Sequence, residues 1–215
     1  MKPKVVIHNT ISLDLCVTGF KVDMMAHYAV ASSFNPDASL VGSITAKTGV
    51  EEYSKKEKES ETDFQKPDQK KDKPYFVLID SEGKMWNLLH LIRRSEHFRD
   101  VIVLVSPKTS KDYIFYLEKR NYDYIKTGKI KVDLKKSIEK LAEKYNIKTI
   151  MSDTGPTLSS LLLEKGLVDE MSLIIVPEIV NNKLKMFQNI KKKLKLDLLK
   201  QEKLANSVHV LYKIK

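Results

Sequence analysis

Three turns along the chain carry residue types that hold anions. At Asp153-Thr154-Gly155-Pro156-Thr157-Leu158 a glycine removes side-chain bulk just before a helix, whose first N–H groups and positive dipole end suit a pyrophosphate. The alternative is an ordinary Gly-Pro turn. At Gly42-Ser43-Ile44-Thr45 a glycine after a strand brings two hydroxyls that suit phosphate, a weaker signal taken alone. At Asp80-Ser81 a hydroxyl and backbone amides end a strong strand and suit a terminal phosphate, with a capped turn as the alternative. In open α/β sheets ligands collect beyond the carboxyl ends of the strands, which is where such turns fall.

The elements that must position these turns follow from periodicity. Residues 4–12 (KVVIHNTIS) are β-branched and mostly apolar, as in a strand buried on both faces. Residues 24–34 are spaced for a short helix closed by Asn35 and Pro36, and 38–41 for a second strand. The runs 75–79 (YFVLI) and 101–105 (VIVLV) predict buried strands. A helix over 133–145 has Asp133 as its cap, and 148–151 is a strand. The next helix carries Pro156 in its first turn and Gly166 past its end. Strands over 168–176, 194–203 and 208–214 follow, the last two joined by a turn near residues 205–207. Strands alternating with helices before a terminal hairpin predict an α/β fold with a mainly parallel central sheet and antiparallel edge strands.

Composition bounds the rest. At 215 residues the chain reads as a single domain. Residues 51–73 hold eight acids and seven lysines, with Tyr53 and Phe64 as the only large apolar groups, and predict an exposed, mobile and dispensable insertion. One cysteine, Cys16, forbids an intrachain disulfide, and with no secretory leader or membrane-spanning run the expectation is a cytoplasmic protein. No pattern points to a metal. The formal charge of +10 is concentrated in residues 183–215, whose ten lysines against Asp197 and Glu202 give +8. There lysines alternate with leucines, which predicts a strand with one solvated face rather than a nucleic-acid grip.

Order and spacing together resemble one family, the reductase domain of the riboflavin-biosynthesis deaminase/reductase, within the dihydrofolate-reductase-like superfamily. Ser12-Leu13-Asp14 is similar to its S-L-D-G, Val41 to Thr45 to its V-G-x-x-T, and Val77 to Ser81 to its V-x-x-D-S. Gly155 to Leu158 resembles the end of its E-G-G/A-G-P-T-L segment, and Leu163 to Ser172 its L-x-x-G-L-V-D-E-x-x. The resemblance implies a dihydrofolate-reductase-like fold, a homodimer, and NADPH against Thr10, Gly42, Thr45, Ser81, Gly155, Pro156, Thr157 and Leu158. A dimer would also cover apolar edge strands such as 168–176. The implied reaction is hydride transfer to a C=N or C=O bond of a small molecule such as a pyrimidine ribosylamine. Asp153 stands where the family has a substrate-contacting glutamate, with helix capping as the alternative; Asp153 and Asp14 are the catalytic candidates.

The departures concern substrate. Leu15 replaces the glycine after Asp14, and Ser33 an arginine that bacterial members use on substrate. Lys21 or Lys47 is proposed in its place, and Asp23, Met24 and His27 as polar or lining contacts from the helix expected at the substrate cleft. A merely packed or surface role for His27 is the alternative. Two rival readings stand beside this one: a reductase of the same fold acting on a pterin or small carbonyl compound, and a basic nucleic-acid-binding protein.

Overall fold

In the computed structural model, β1 (Lys4–Ser12) is buried from Val5 onward. The structure describes residues 2–54, 57–67, 72–188 and 190–215. They fall into two units, one of Lys4–Pro36 and Thr149–Lys215, the other of Met1–Pro3 and Asp37–Lys148.

In the first unit β1 is flanked by two parallel partners, β6 (Thr149–Ser152) and β7 (Glu170–Val176). The sheet continues antiparallel through β9 (Ser207–Ile214) to β8 (Leu196–Leu204). Alternation along β1 sends His8, Thr10 and Ser12 to one face. All three are buried, so that face of the strand is polar and yet closed to water. Helix α1 (Met24–Ser32) starts at Asp23, whose carboxylate accepts from the Ala26 amide. Helix α6 (Pro156–Glu164) has proline in its first turn, as expected. It ends where Gly166, at φ +62, lets the Gly166 and Leu167 amides turn back onto the Leu163 and Leu162 carbonyls.

Two expectations change here. β7 is paired on both sides, by β1 and β9, and is not an edge. β8 is the outer strand of the unit, and its first six residues are all exposed rather than alternating. A register shift between Leu198 and Lys200 breaks the period-two pattern, leaving Leu198 and Leu199 both facing water.

The second unit is a four-stranded parallel sheet in the order β5 (Asp123–Lys126), β4 (Val101–Val105), β3 (Tyr75–Ile79), β2 (Ala38–Gly42). β4 is wholly buried, which is why its sequence carries no polar alternation. Helices α2 (Ser43–Tyr53), α3 (Leu89–Arg93) and α4 (Lys111–Lys119) lie between successive strands, and α5 (Leu134–Tyr145) follows β5. Only α5 was legible; it is capped by Asp133 and buries Leu134, Ile138 and Leu141. Both units carry mainly parallel strands with helices, and the chain closes on an antiparallel hairpin. No helix among the described residues is long and apolar enough to cross a membrane.

The charged segment begins inside α2, and residues 55, 56 and 68–71 lie outside the described residues. The part between them is held by three arginines. Arg93, buried and bidentate on Asp100, also donates to the carbonyls of Asp63, Gln65, Arg120 and Asn121. Arg94 grips the Asp63 carboxylate at 2.7 Å, and Arg120 the Glu59 carboxylate at 2.6 Å. Burial works against the charge on Asp63, and the Arg94 guanidinium overrides it, bringing the carboxyl down to about 2. A buried guanidinium left short of acceptors is costly. Replacing residues 57–66 by a Gly/Ser linker is therefore expected to lower stability by about 2–4 kcal/mol in urea unfolding. Unchanged stability would show that Arg93 is satisfied without them.

Candidate active site

β1 positions the chemistry of the first unit. Thr10 Oγ1 lies 2.9 Å from His27 Nδ1, and the Nε2 of the same imidazole lies 3.1 Å from Asp153 Oδ2. The His27 ring is almost wholly buried, while the Asp153 side chain is 34% exposed. A carboxylate accepts only, so His27 Nε2 is the donor in that pair. Thr10 can donate to or accept from Nδ1, and the trio thus accommodates the imidazole neutral or protonated. His27 is buried, and its partner is the acid singled out for catalysis. Gly155, not Asp153, is the N-cap of α6.

The loop that presents Asp153 is pinned from the other face of β1. Asn9 Nδ2 donates to the Thr154 carbonyl at 3.1 Å, and Ser159 Oγ donates to the same oxygen. The second Asn9 atom, Oδ1, is buried with no hydrogen-bond partner. Asn9 escaped sequence reading because no motif marks it apart from His8 and Thr10 on either side. Gly155 sits at φ −68, ψ 173, a region open to any residue, so the backbone itself does not require glycine there. Pro156 and Leu158 are buried in the first turn of α6, and Thr157 is exposed.

Asp14 is tied down. It accepts from the Ser12 hydroxyl at 2.6 Å, from the Val180 and Asn181 amides at 3.1 and 3.0 Å, and from Cys16 Sγ at 3.3 Å. The Ser12 hydroxyl, and next the Val180 amide, hold its carboxyl well below the ordinary carboxylate range. An acid so held carries no proton to give at neutral pH; its part is to clamp the end of β1 to residues 180 and 181. Leu15 lies beside it at φ +68, the left-handed region that suits the glycine it replaces.

The other candidates are placed as follows. Asp23 caps α1, Met24 opens it half-buried, and Lys21 is exposed just ahead of it. Ser33 ends α1, its hydroxyl donating to the Val30 carbonyl at 2.7 Å. In the second unit Gly42 is the N-cap of α2, Thr45 is half-buried in its first turn, and Lys47 lies 4.0 Å from Glu51. Ser81 follows β3 in a turn organised by buried Asp80. That carboxylate accepts from the Lys84 and Met85 amides at 2.9 Å and from the Tyr113 hydroxyl at 2.8 Å. Gly83, at φ +71, lies where a Cβ would meet the Tyr113 ring at 3.2 Å. Trp86, in the same turn, stacks on Tyr116 with ring centres 5.3 Å apart.

The mainly parallel strands with helices and the antiparallel C-terminal hairpin are the dihydrofolate-reductase-like α/β fold. Residues 3–210 match the model of the RibD C-terminal domain, and the chain belongs to that family. Among solved structures it is similar to a pyrimidine reductase-like protein of Corynebacterium diphtheriae, with TM-score 0.72 and 19% identity, over 99% of this chain and 92% of that one. It is also similar to the riboflavin biosynthesis reductase Rib7 of Saccharomyces cerevisiae, with TM-score 0.69 and 18% identity, over 100% and 90%. RibD of Acinetobacter baumannii matches at TM-score 0.69 and 18% identity; this chain is covered in full but spans only 58% of that protein.

Two predictions come from this unit. Leu15 is 39% exposed, so little packing is lost on truncation, and Leu15→Gly is expected to raise stability by about 0.5–1 kcal/mol as the left-handed strain is relieved. A lower melting temperature would show that its packing outweighs the strain. The second concerns His8, whose pKa burial, and next the neighbouring His27, lower from 6.5 to about 4, with Asp153 and His209 also facing it. The unfolded chain then takes up a proton that the folded chain refuses, so stability present at neutral pH is lost as pH falls from 6.5 to about 4. Denaturant unfolding across that window should show a loss of about 3 kcal/mol, flattened in His8→Gln.

Proposed function

We propose that this chain is an NADPH-dependent reductase that transfers a hydride to a C=N or C=O bond of a small substrate, of the kind reduced in riboflavin biosynthesis. The reading rests on family membership, and the single observation that carries the chemistry is the Asp153–His27–Thr10 trio at the carboxyl end of β6. Two features fit a nicotinamide dinucleotide. The start of α6 has no side-chain cap and follows a residue without a Cβ, as a phosphate requires. Asn9 Oδ1 is a buried acceptor that an N–H of a bound ligand would satisfy. The cofactor supplies the hydride.

The protein's own residues then bind, orient and deliver a proton. Gly155, Pro156, Thr157 and Leu158 offer the helix start; Thr10, Gly42, Thr45 and Ser81 are the further cofactor contacts that the resemblance assigns. Asp153, the more exposed member of its pair, faces the reacting molecule, and His27, when protonated on both nitrogens, gives its Nε2 proton to Oδ2 and is left neutral with its Nδ1 proton on Thr10. Thr10 holds the opposite nitrogen, so ring rotation would cost two hydrogen bonds. A second reading, a reductase of the same fold whose substrate lacks a phosphate, is favoured by Ser33. Its hydroxyl is turned onto its own helix, and it brings no cation where an arginine is expected.

Binding can be followed through Trp86, the only tryptophan, which shares a turn with Ser81. NADPH titrated into the protein is expected to quench its emission saturably. Gly155→Val, which meets no torsional penalty at φ −68, should weaken binding at least about tenfold, or roughly 1.4 kcal/mol, with little change in melting temperature. Wild-type affinity in this variant would move the cofactor away from α6, and no response to NADPH, NADP or NADH by fluorescence or calorimetry would end the reading.

A further inference from the structure

Behind His27 the polar face of β1 continues into a string of side chains with no part in the reaction as described. His8 Nε2 lies 3.1 Å from the His27 carbonyl oxygen, and His8 Nδ1 lies 2.9 Å from Ser172 Oγ. Ser172 Oγ is 2.8 Å from His209 Nε2, and His209 Nδ1 is 2.8 Å from Glu202 Oε1. Three of the five histidines of the chain are thus linked. His8, Ser172 and His209 are all buried, and Glu202, half-buried on β8, also takes Lys200 Nζ at 2.8 Å. Register brings them together: His8 is opposite Ser172, and His209 is opposite Ile174, two residues further along β7.

The string ends on two groups that only accept, a backbone carbonyl and a carboxylate. Four hydrogen bonds lie between them, and each needs its own proton. Neutral His8, neutral His209 and the Ser172 hydroxyl bring three. All four bonds can form only when the string holds one proton more than its neutral members carry.

We propose that His8, Ser172, His209 and Glu202 form a proton-ordered positioning relay. The extra proton sits on His209 against Glu202, Ser172 donates to His8 Nδ1, and His8 is fixed as the Nε2–H tautomer, which anchors the His27 carbonyl and so holds the His27 ring on Asp153. The alternative site for the proton, His8 itself, is opposed by burial, by His27 and by His209, with only Asp153 and the His27 carbonyl favouring it. The Glu202 carboxyl lies below its ordinary range through Lys200 and next His209, which leaves it the acceptor. This role for the relay rests on the proposed Asp153–His27 function, but its test does not.

Nitrogen-15 NMR of the histidine rings in the full chain at neutral pH reads the order directly. His8 is expected as the neutral Nε2–H form and His209 with both ring nitrogens protonated. In Glu202→Gln the side-chain amide can donate to His209 Nδ1, which supplies the fourth proton from a neutral group. His209 should then become the neutral Nε2–H form while His8 is unchanged. In Ser172→Ala the string is cut, and the His27 resonances should shift with it. A wild-type His8 in the Nδ1–H form or averaging between tautomers, a Glu202→Gln protein whose His209 still carries both protons, or His27 resonances indifferent to Ser172→Ala would each overturn the proposal. Should Ser172→Ala fail to fold, the wild-type and Glu202→Gln spectra decide alone. Absence of NADPH binding would remove the reductase reading and leave these resonances to be judged as before.

Discussion

A strand buried on both faces can carry polar side chains only if each finds a partner, because an unpaired polar group in the interior costs on the order of 1–3 kcal/mol. β1 carries three in a row on one face, His8, Thr10 and Ser12. Their needs account for much of the first unit. His8 and Thr10 draw in α1 through the carbonyl and the ring of His27, and His8 also binds Ser172 of β7. Ser12 takes up Asp14, which in turn collects the amides of residues 180 and 181. The Asp153–His27 pair is one point at which this buried polarity reaches partly exposed surface, and Glu202 is another.

The second unit meets the same requirement with charges. Asp80 and Arg93 are both buried, and both are surrounded by complementary groups. Asp80 ties the Ser81 turn to α4 through Tyr113, whose hydroxyl is pushed well above its ordinary pKa by burial and next by that carboxylate. Arg93 lies 3.7 Å over the Tyr122 ring and binds Asp100, joining α3 to the start of β4. Tyr113, Tyr116 and Tyr122 stack in sequence between these two charges. A buried charge fixes geometry because any displacement leaves it unpaired, at a cost larger than that of losing apolar contact.

Leu15 shows how a family position can change while its surroundings keep the shape. The left-handed backbone that glycine adopts freely is retained at φ +68. The Leu15 amide donates to Ser12, and its carbonyl accepts from Met186. Those bonds, with the Asp14 clamp, hold the turn against a torsional penalty of about 1 kcal/mol.

The sequence by itself determined the strands β1, β3 and β4, the helices α5 and α6 with their Asp133 cap, Pro156 and Gly166, and the terminal hairpin, since each is set by periodicity or local backbone chemistry within a few residues. It marked Asp153 and His27, 126 positions apart, each for the substrate but not as a bonded pair. The tertiary structure alone decided that pairing, the partners of His8 and Asn9, and the arginine contacts of residues 57–66, because these bonds depend on strand register and on chain segments distant in sequence. α4 was missed because its cap, Ser110, follows a polar turn and its buried face is tyrosine-rich rather than aliphatic. β8 was misread because a leucine–lysine alternation reports a half-buried strand only while the register is unbroken, and the shift at Leu198 is fixed by pairing with β9, which no local pattern records.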